Sequence, residues 1–294
     1  MNIIFGDSFI GPFTLIKDDN LLLKKFKGKT MRGISKIDTE DYNTLYNIIN
    51  VNKINKGIKY VCFIFGQAEI LFSMYYEMFV KDNYNIKTFL EESSERYCKF
   101  LLSLKNIMNN KKVIFSICPL MLKDEEVIHS LYLYPIVDEE ILKQIPKNLR
   151  DLIFSYDFRN NCRMYLNNLN KQFCKKYKMK FINYDEILID KTTNKPLDIL
   201  KVKESDYNIH PYFEEIIKLY LSKLNFMNIN KEYKEDLTKS QEEYKNIKKE
   251  LSEERYNNLI FIKCNENIDE KYNNKIISLE KQLKEMKEEN EKNI

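Results

Sequence analysis

The chain has 294 residues and a 44% hydrophobic fraction, enough for one enzyme-sized domain with a buried core. Its 48 basic and 44 acidic side chains leave a formal charge of +4 and are spread along the whole length, so the clustered basic face of a nucleic-acid binder is missing. Six cysteines without a Cys-x-x-Cys pair, and only two histidines, argue against a structural zinc site or a disulfide framework.

Met1 leads directly into Asn2-Ile3-Ile4-Phe5, with no basic segment followed by a long apolar stretch, so a signal peptide is not expected. No run of about 18 apolar residues is present to span a bilayer. These features predict a reducing, cytoplasmic location.

Residues 2–5 form a short apolar run that reads as a first strand, and 21–26 as a second. The second run and its exit carry Lys24, Lys25, Lys27 and Lys29, as expected of an edge strand protected against aggregation. Helical spacing begins at 40–49, and a third strand is read at 60–65. Phe72, Tyr75, Tyr76 and Phe79 come next at helical spacing; a core stripe is the better reading, and a pocket lining for an acyl or sugar group the alternative. A helix at 88–108, a strand at 113–118, a helix at 149–177, a strand at 181–184 and a helix at 212–224 complete the alternation. Strand and helix alternating in this way predict a three-layer α/β/α fold with a five-stranded parallel sheet of order 2-1-3-4-5.

Between the fourth strand and its helix, residues 120–149 read as a long connection of the kind that forms lids, with His129 a surface or lid residue. From 228 to 294 the composition turns strongly charged, which separates a domain at 1–227 from a helical or partly disordered tail. Ile276, Leu279, Leu283 and Met286 alternate in threes and fours, enough for a short coiled coil and open to a protein partner, while 259–262 is an apolar patch able to dock on the domain.

Every unusual residue falls at the carboxyl end of a strand, where doubly wound folds hold their ligands. Gly6-Asp7-Ser8 follows the first strand, Arg32-Gly33 the second, Gly66-Gln67-Ala68-Glu69 the third, Cys118-Pro119 the fourth, and Asp206-Tyr207-Asn208-Ile209-His210 the fifth. A serine hydroxyl needs an imidazole to take its proton and fixed donors to meet the oxyanion that forms. Of the two histidines, His210 is the one expected at the Ser8 edge.

This order of blocks resembles the SGNH/GDSL serine hydrolases over nearly all of residues 1–225. The resemblance implies Ser8 as nucleophile, His210 as general base and Asp206 as the acid that orients it. It also implies oxyanion donors from the Ser8 and Gly33 amides and from the third block, Gly66 and Gln67, with no metal or organic cofactor. Two positions depart from the family. Ala68 stands where an oxyanion-binding Asn belongs, which leaves Gln67 as a substitute donor, and Glu69 is expected to hold the turn together rather than act as a catalytic acid. Asp206 precedes His210 by four residues instead of three, so it serves if the loop bulges by one residue; otherwise Glu204 or a Ser-His dyad takes its place. Two functions follow as alternatives: an esterase acting on a small acyl ester, such as a carbohydrate O-acetyl or lipid-like ester, or a catalytically impaired member acting as a binding scaffold through its tail.

Overall fold

A computed structural model describes residues 1–55, 57–119, 122–193, 195–200, 213–227 and 270–292. Five parallel strands, β1 (Asn2–Gly6), β2 (Leu21–Lys25), β3 (Tyr60–Ile64), β4 (Lys112–Phe115) and β5 (Lys180–Ile182), lie in the order β2-β1-β3-β4-β5. Register follows directly from the apolar runs: Ile4 faces Cys62 on one side and Leu23 on the other. β1 is buried along its whole length, as a central parallel strand covered on both faces must be. β2 is the half-buried edge strand, and Lys24 and Lys25 sit on it.

The helices, in chain order, are α1 (Met31–Ile34), α2 (Glu40–Asn55), α3 (Met74–Phe79), α4 (Ile86–Ser103), α5 (Asp124–Leu133), α6 (Glu139–Gln144), α7 (Lys147–Ile153), α8 (Tyr156–Tyr177), α9 (Asp185–Leu188), α10 (Phe213–Lys223) and α11 (Glu270–Lys292). A two-residue pair of short strands, β6 (Ile189–Asp190) and β7 (Lys195–Pro196), closes a small hairpin after α9. The crossovers α2, α4 and α8 form one layer, joined by Tyr42 against Phe100 at 5.9 Å and by Ser94 Oγ donating to Asn170 at 2.9 Å. Phe63 and Phe65 of the sheet region meet Phe100 and Tyr97 of that layer. The opposite layer holds a 3₁₀ helix at Ser8–Leu15 and α10, in contact through Phe13 and Tyr220 at 5.6 Å, with Phe13 also against Phe115 of β4.

Three expectations need correction. The segment 120–149 is not an open connection: α5, α6 and the start of α7 occupy it, and Val127, Leu131, Val137, Leu142 and Ile145 are core residues. His129, expected as a surface or lid residue, is fully buried on α5. The helix read at 149–177 is two helices, because Ser155 breaks the run and caps α8, its Oγ accepting the Phe158 amide at 3.1 Å.

In the tail, the alternating apolar residues of α11 serve the same chain. Ile276, Leu279 and Met286 are buried, with Leu283 packed beside them, where α11 crosses α8 and α4. Polar contacts frame the seam: the Lys87 amide donates to Gln282 at 2.9 Å, and Lys87 Nζ donates to Glu289 at 3.0 Å. Asn168 donates to Asn290 at 2.7 Å. The apolar patch at 259–262 lies outside the described residues. Among the described residues, no helix is long and apolar enough to cross a membrane.

Candidate active site

β1 delivers Gly6, Asp7 and Ser8 to the carboxyl edge of the sheet. Gly6 is required by close approach: a Cβ there would fall 2.6 Å from the Ile64 carbonyl and 2.1 Å from the Ile10 side chain. Asp7 is the N-cap of the 3₁₀ helix, its amide donating to Ile64 O at 3.1 Å and its Oδ1 accepting the Phe9 amide at 2.9 Å. Ser8 is therefore the first helical residue, half-buried on a turn whose next residues, Phe9, Ile10 and Phe13, are anchored in the core.

Carboxyl groups support the two neighbouring turns from below. Burial pushes the Asp7 carboxyl up to about 7; the charge of Glu69 adds to this, and the Phe9 amide works against it. Burial likewise pushes Glu69 up to about 7, opposed by the Arg32 amide, which donates to Glu69 Oε1 at 3.1 Å. Glu69 thus ties the end of the third block to α1, the role of turn partner that its position suggested.

Gly33 lies in α1, and its amide donates to Thr30 Oγ1 at 2.8 Å, the N-cap bond of that short helix. In this conformation the donor expected at the oxyanion is already bonded. Gly66 has φ +119°, and a Cβ there would meet Ile117 Cδ1 at 2.8 Å, so its backbone conformation and packing both demand glycine. Gln67 is buried at 5% exposure, beside a small cavity under the sheet edge, and Ala68 is buried with no side-chain donor to offer.

His210, Asp206 and Glu204 lie outside the described residues. What is described is the helix that follows them. α10 leads into Phe226 and Met227 at the amino edge of the sheet, where Phe226 meets Tyr60 at 4.9 Å and Asn2 Nδ2 donates to Met227 O at 2.9 Å. An 11-residue helix rises about 16 Å, so the first turn of α10 lies toward the opposite, carboxyl edge, the edge of Ser8.

Several supporting residues escaped the sequence reading. Thr30, three residues before Gly33, is a helix-capping residue type whose signal is present but short. The end of β4 is held by Asn167, whose Oδ1 accepts the Ile117 amide at 2.8 Å, and by Arg163, which donates to Ile117 O at 3.0 Å and pairs with Asp185 at 2.6 Å. Tyr184 and Tyr220 stack at 3.8 Å beneath the edge. The aromatic stripe after the third block is core, as its spacing favoured: Tyr75 is fully buried, stacks on Phe154 and donates to Ile153 O at 2.9 Å. Tyr76 faces solvent at 43% exposure.

No protein-family model matches the sequence, and no curated protein matches it. Among solved structures, the chain is similar to a GDSL-like lipase from Bacteroides thetaiotaomicron, with 10% identity and a TM-score of 0.37 over 77% of this chain and 87% of that one. The class defined by the structure is a three-layer α/β/α protein whose parallel sheet runs in the order 2-1-3-4-5.

Proposed function

We propose that this chain is a serine ester hydrolase acting on a small acyl ester, a carbohydrate O-acetyl group or a lipid-like ester, with its hydrolase-like unit at 1–227 and a tail at 228–294. The observation that carries the reading is the shared edge: Ser8 opens a helix at the carboxyl end of the central strand, and α10, which follows His210 by three residues, starts toward that same edge. In this reading Ser8 Oγ attacks the acyl carbon while His210 takes the hydroxyl proton. The tetrahedral oxyanion collapses to an acyl-serine as His210 passes the proton to the departing alcohol. Water, deprotonated by His210, then hydrolyses the acyl-serine and restores the Ser8 hydroxyl. Asp206 orients the imidazole, and the amides of Ser8 and Gly33 with the Gly66-Gln67 block meet the oxyanion. The chemistry needs no metal or organic cofactor. The five described cysteines are buried free thiols, which suits a cytoplasmic setting.

A second reading, a binding scaffold with lost catalysis and a tail that recruits a protein partner, is favoured by one pairing of observations: the Gly33 amide is bonded to Thr30, and Ala68 has no amide side chain. Labelling of the purified protein by a fluorophosphonate serine probe separates the two. Labelling that disappears in Ser8→Ala supports the hydrolase; a wild-type protein that resists the probe, though folded, supports the scaffold.

A further inference from the structure

Beneath the Ser8 turn lies a small cavity whose walls include Asp7, Gln67, Ser116, Cys118, Tyr184 and Tyr220, with room for about one water molecule. Asp7, Gln67 and Tyr184 are each at least nine-tenths buried, at 2%, 5% and 1% exposure. Each carries a buried polar atom that no protein group bonds: Asp7 Oδ2, Gln67 Oε1 and Tyr184 Oη. Native interiors leave few buried polar atoms unpaired, so three on residues lining one cavity form an unusual concentration.

Their chemistry is complementary to a single small ligand. Gln67 Oε1 is an acceptor, Asp7 Oδ2 is an acceptor when its carboxyl is ionised and a donor when it holds a proton, and Tyr184 and Ser116 are hydroxyl-bearing wall residues, the Ser116 oxygen already accepting the Tyr184 amide at 2.8 Å. Water has two protons to give and lone pairs to receive a third bond.

We propose that this cavity is a specific site for one structural water, which donates to Gln67 Oε1, accepts from a hydroxyl of the wall, and bonds Asp7 Oδ2 as donor when the carboxyl is ionised and as acceptor when it holds its proton. Asp7 Oδ1 caps the turn that begins at Ser8, so the water fastens the other oxygen of the same carboxyl to the third block. Gln67 is then a positioning residue directed under the edge, with its carbonyl committed to the water. The site stands on protein geometry alone and holds whether or not Ser8 is a nucleophile.

A high-resolution crystal structure of the full chain tests it. The expected result is one ordered peak within hydrogen-bond distance of both Asp7 Oδ2 and Gln67 Oε1. Direct bonding of Asp7 to Gln67, or a cavity without a peak, overturns the proposal. In Gln67→Met, which conserves length and removes the acceptor, the peak is expected to lose at least half its occupancy; an unchanged peak overturns the bridging role. Should that variant not fold, the wild-type map alone decides.

Discussion

Thr30 Oγ1 accepts the Gly33 amide at 2.8 Å, so in the proposed reaction the cap that stabilises α1 would compete with the oxyanion for the same proton. Removing the cap in Thr30→Ala is expected to cost about 1 kcal/mol of stability and to raise the rate of fluorophosphonate labelling at Ser8 several-fold. The paired measurement is a urea melt and a labelling time course. Unchanged or slower labelling in the folded variant would mean that the Gly33 amide has no part in the oxyanion site.

The Ser8, His210 and Asp206 assignments predict non-additive losses. Ser8→Ala and His210→Ala should each abolish ester turnover as fully as the double variant, because members of one catalytic unit fail together. Asp206→Ala should lower turnover by roughly two orders of magnitude and Glu204→Ala by far less. Turnover assays on a chromogenic acetyl ester distinguish the outcomes: a full-activity Asp206→Ala protein with an inactive Ser8→Ala protein points to a Ser-His dyad.

The buried Asp7 carboxyl makes stability depend on pH with a defined sign. Its ordinary value is 3.8, and burial raises it to about 7 in the fold. Between those values the folded chain keeps a proton that the unfolded chain has released, so stability is highest on the acid side of the window and falls as pH rises through it. Asn in place of Asp7 retains an acceptor for the Phe9 amide but cannot ionise. Asp7→Asn should therefore gain relative to wild type between pH 4.5 and pH 8, by an amount on the order of a few kcal/mol. Thermal melts across that range check it, and a constant difference between the two proteins refutes it.

Docking of α11 gives a stability prediction with a ceiling. Truncation after residue 227 is expected to leave a cooperative domain whose midpoint is lowered, because the α4 and α8 face that covers Leu279 and Met286 becomes exposed. Leu279→Ala should destabilise by up to roughly 2–4 kcal/mol, but by no more than the truncation itself, since a weakened helix can detach. Denaturant melts of the two proteins decide; a larger loss in Leu279→Ala than in the truncated chain would show that α11 and the domain unfold as one unit.

Composition and periodicity determined much of this protein. The runs at 2–5 and 60–65 read as strands because an interior parallel strand is apolar on both faces and shows as unbroken hydrophobicity, while the lysines of 24–29 mark 21–26 as the edge, where charge opposes pairing with another chain. The positions of Ser8 and Gly66 just past β1 and β3 were legible because the ends of parallel strands fall on one side of a sheet, whereas Gly33 lies in α1, well beyond the end of β2. Tertiary structure alone decided the rest. His129 sits in an ordinary-looking polar and apolar mixture, and only the packing of α5 against the core shows it to be buried. Ile276, Leu279 and Met286 have the same pattern whether the partner is another chain or the α4 and α8 face of their own, since a seam records its own apolar side and not what covers it. The gathering of Asp7, Gln67 and Tyr184 around one cavity depends on distances between residues up to 177 positions apart, which folding sets and local pattern does not.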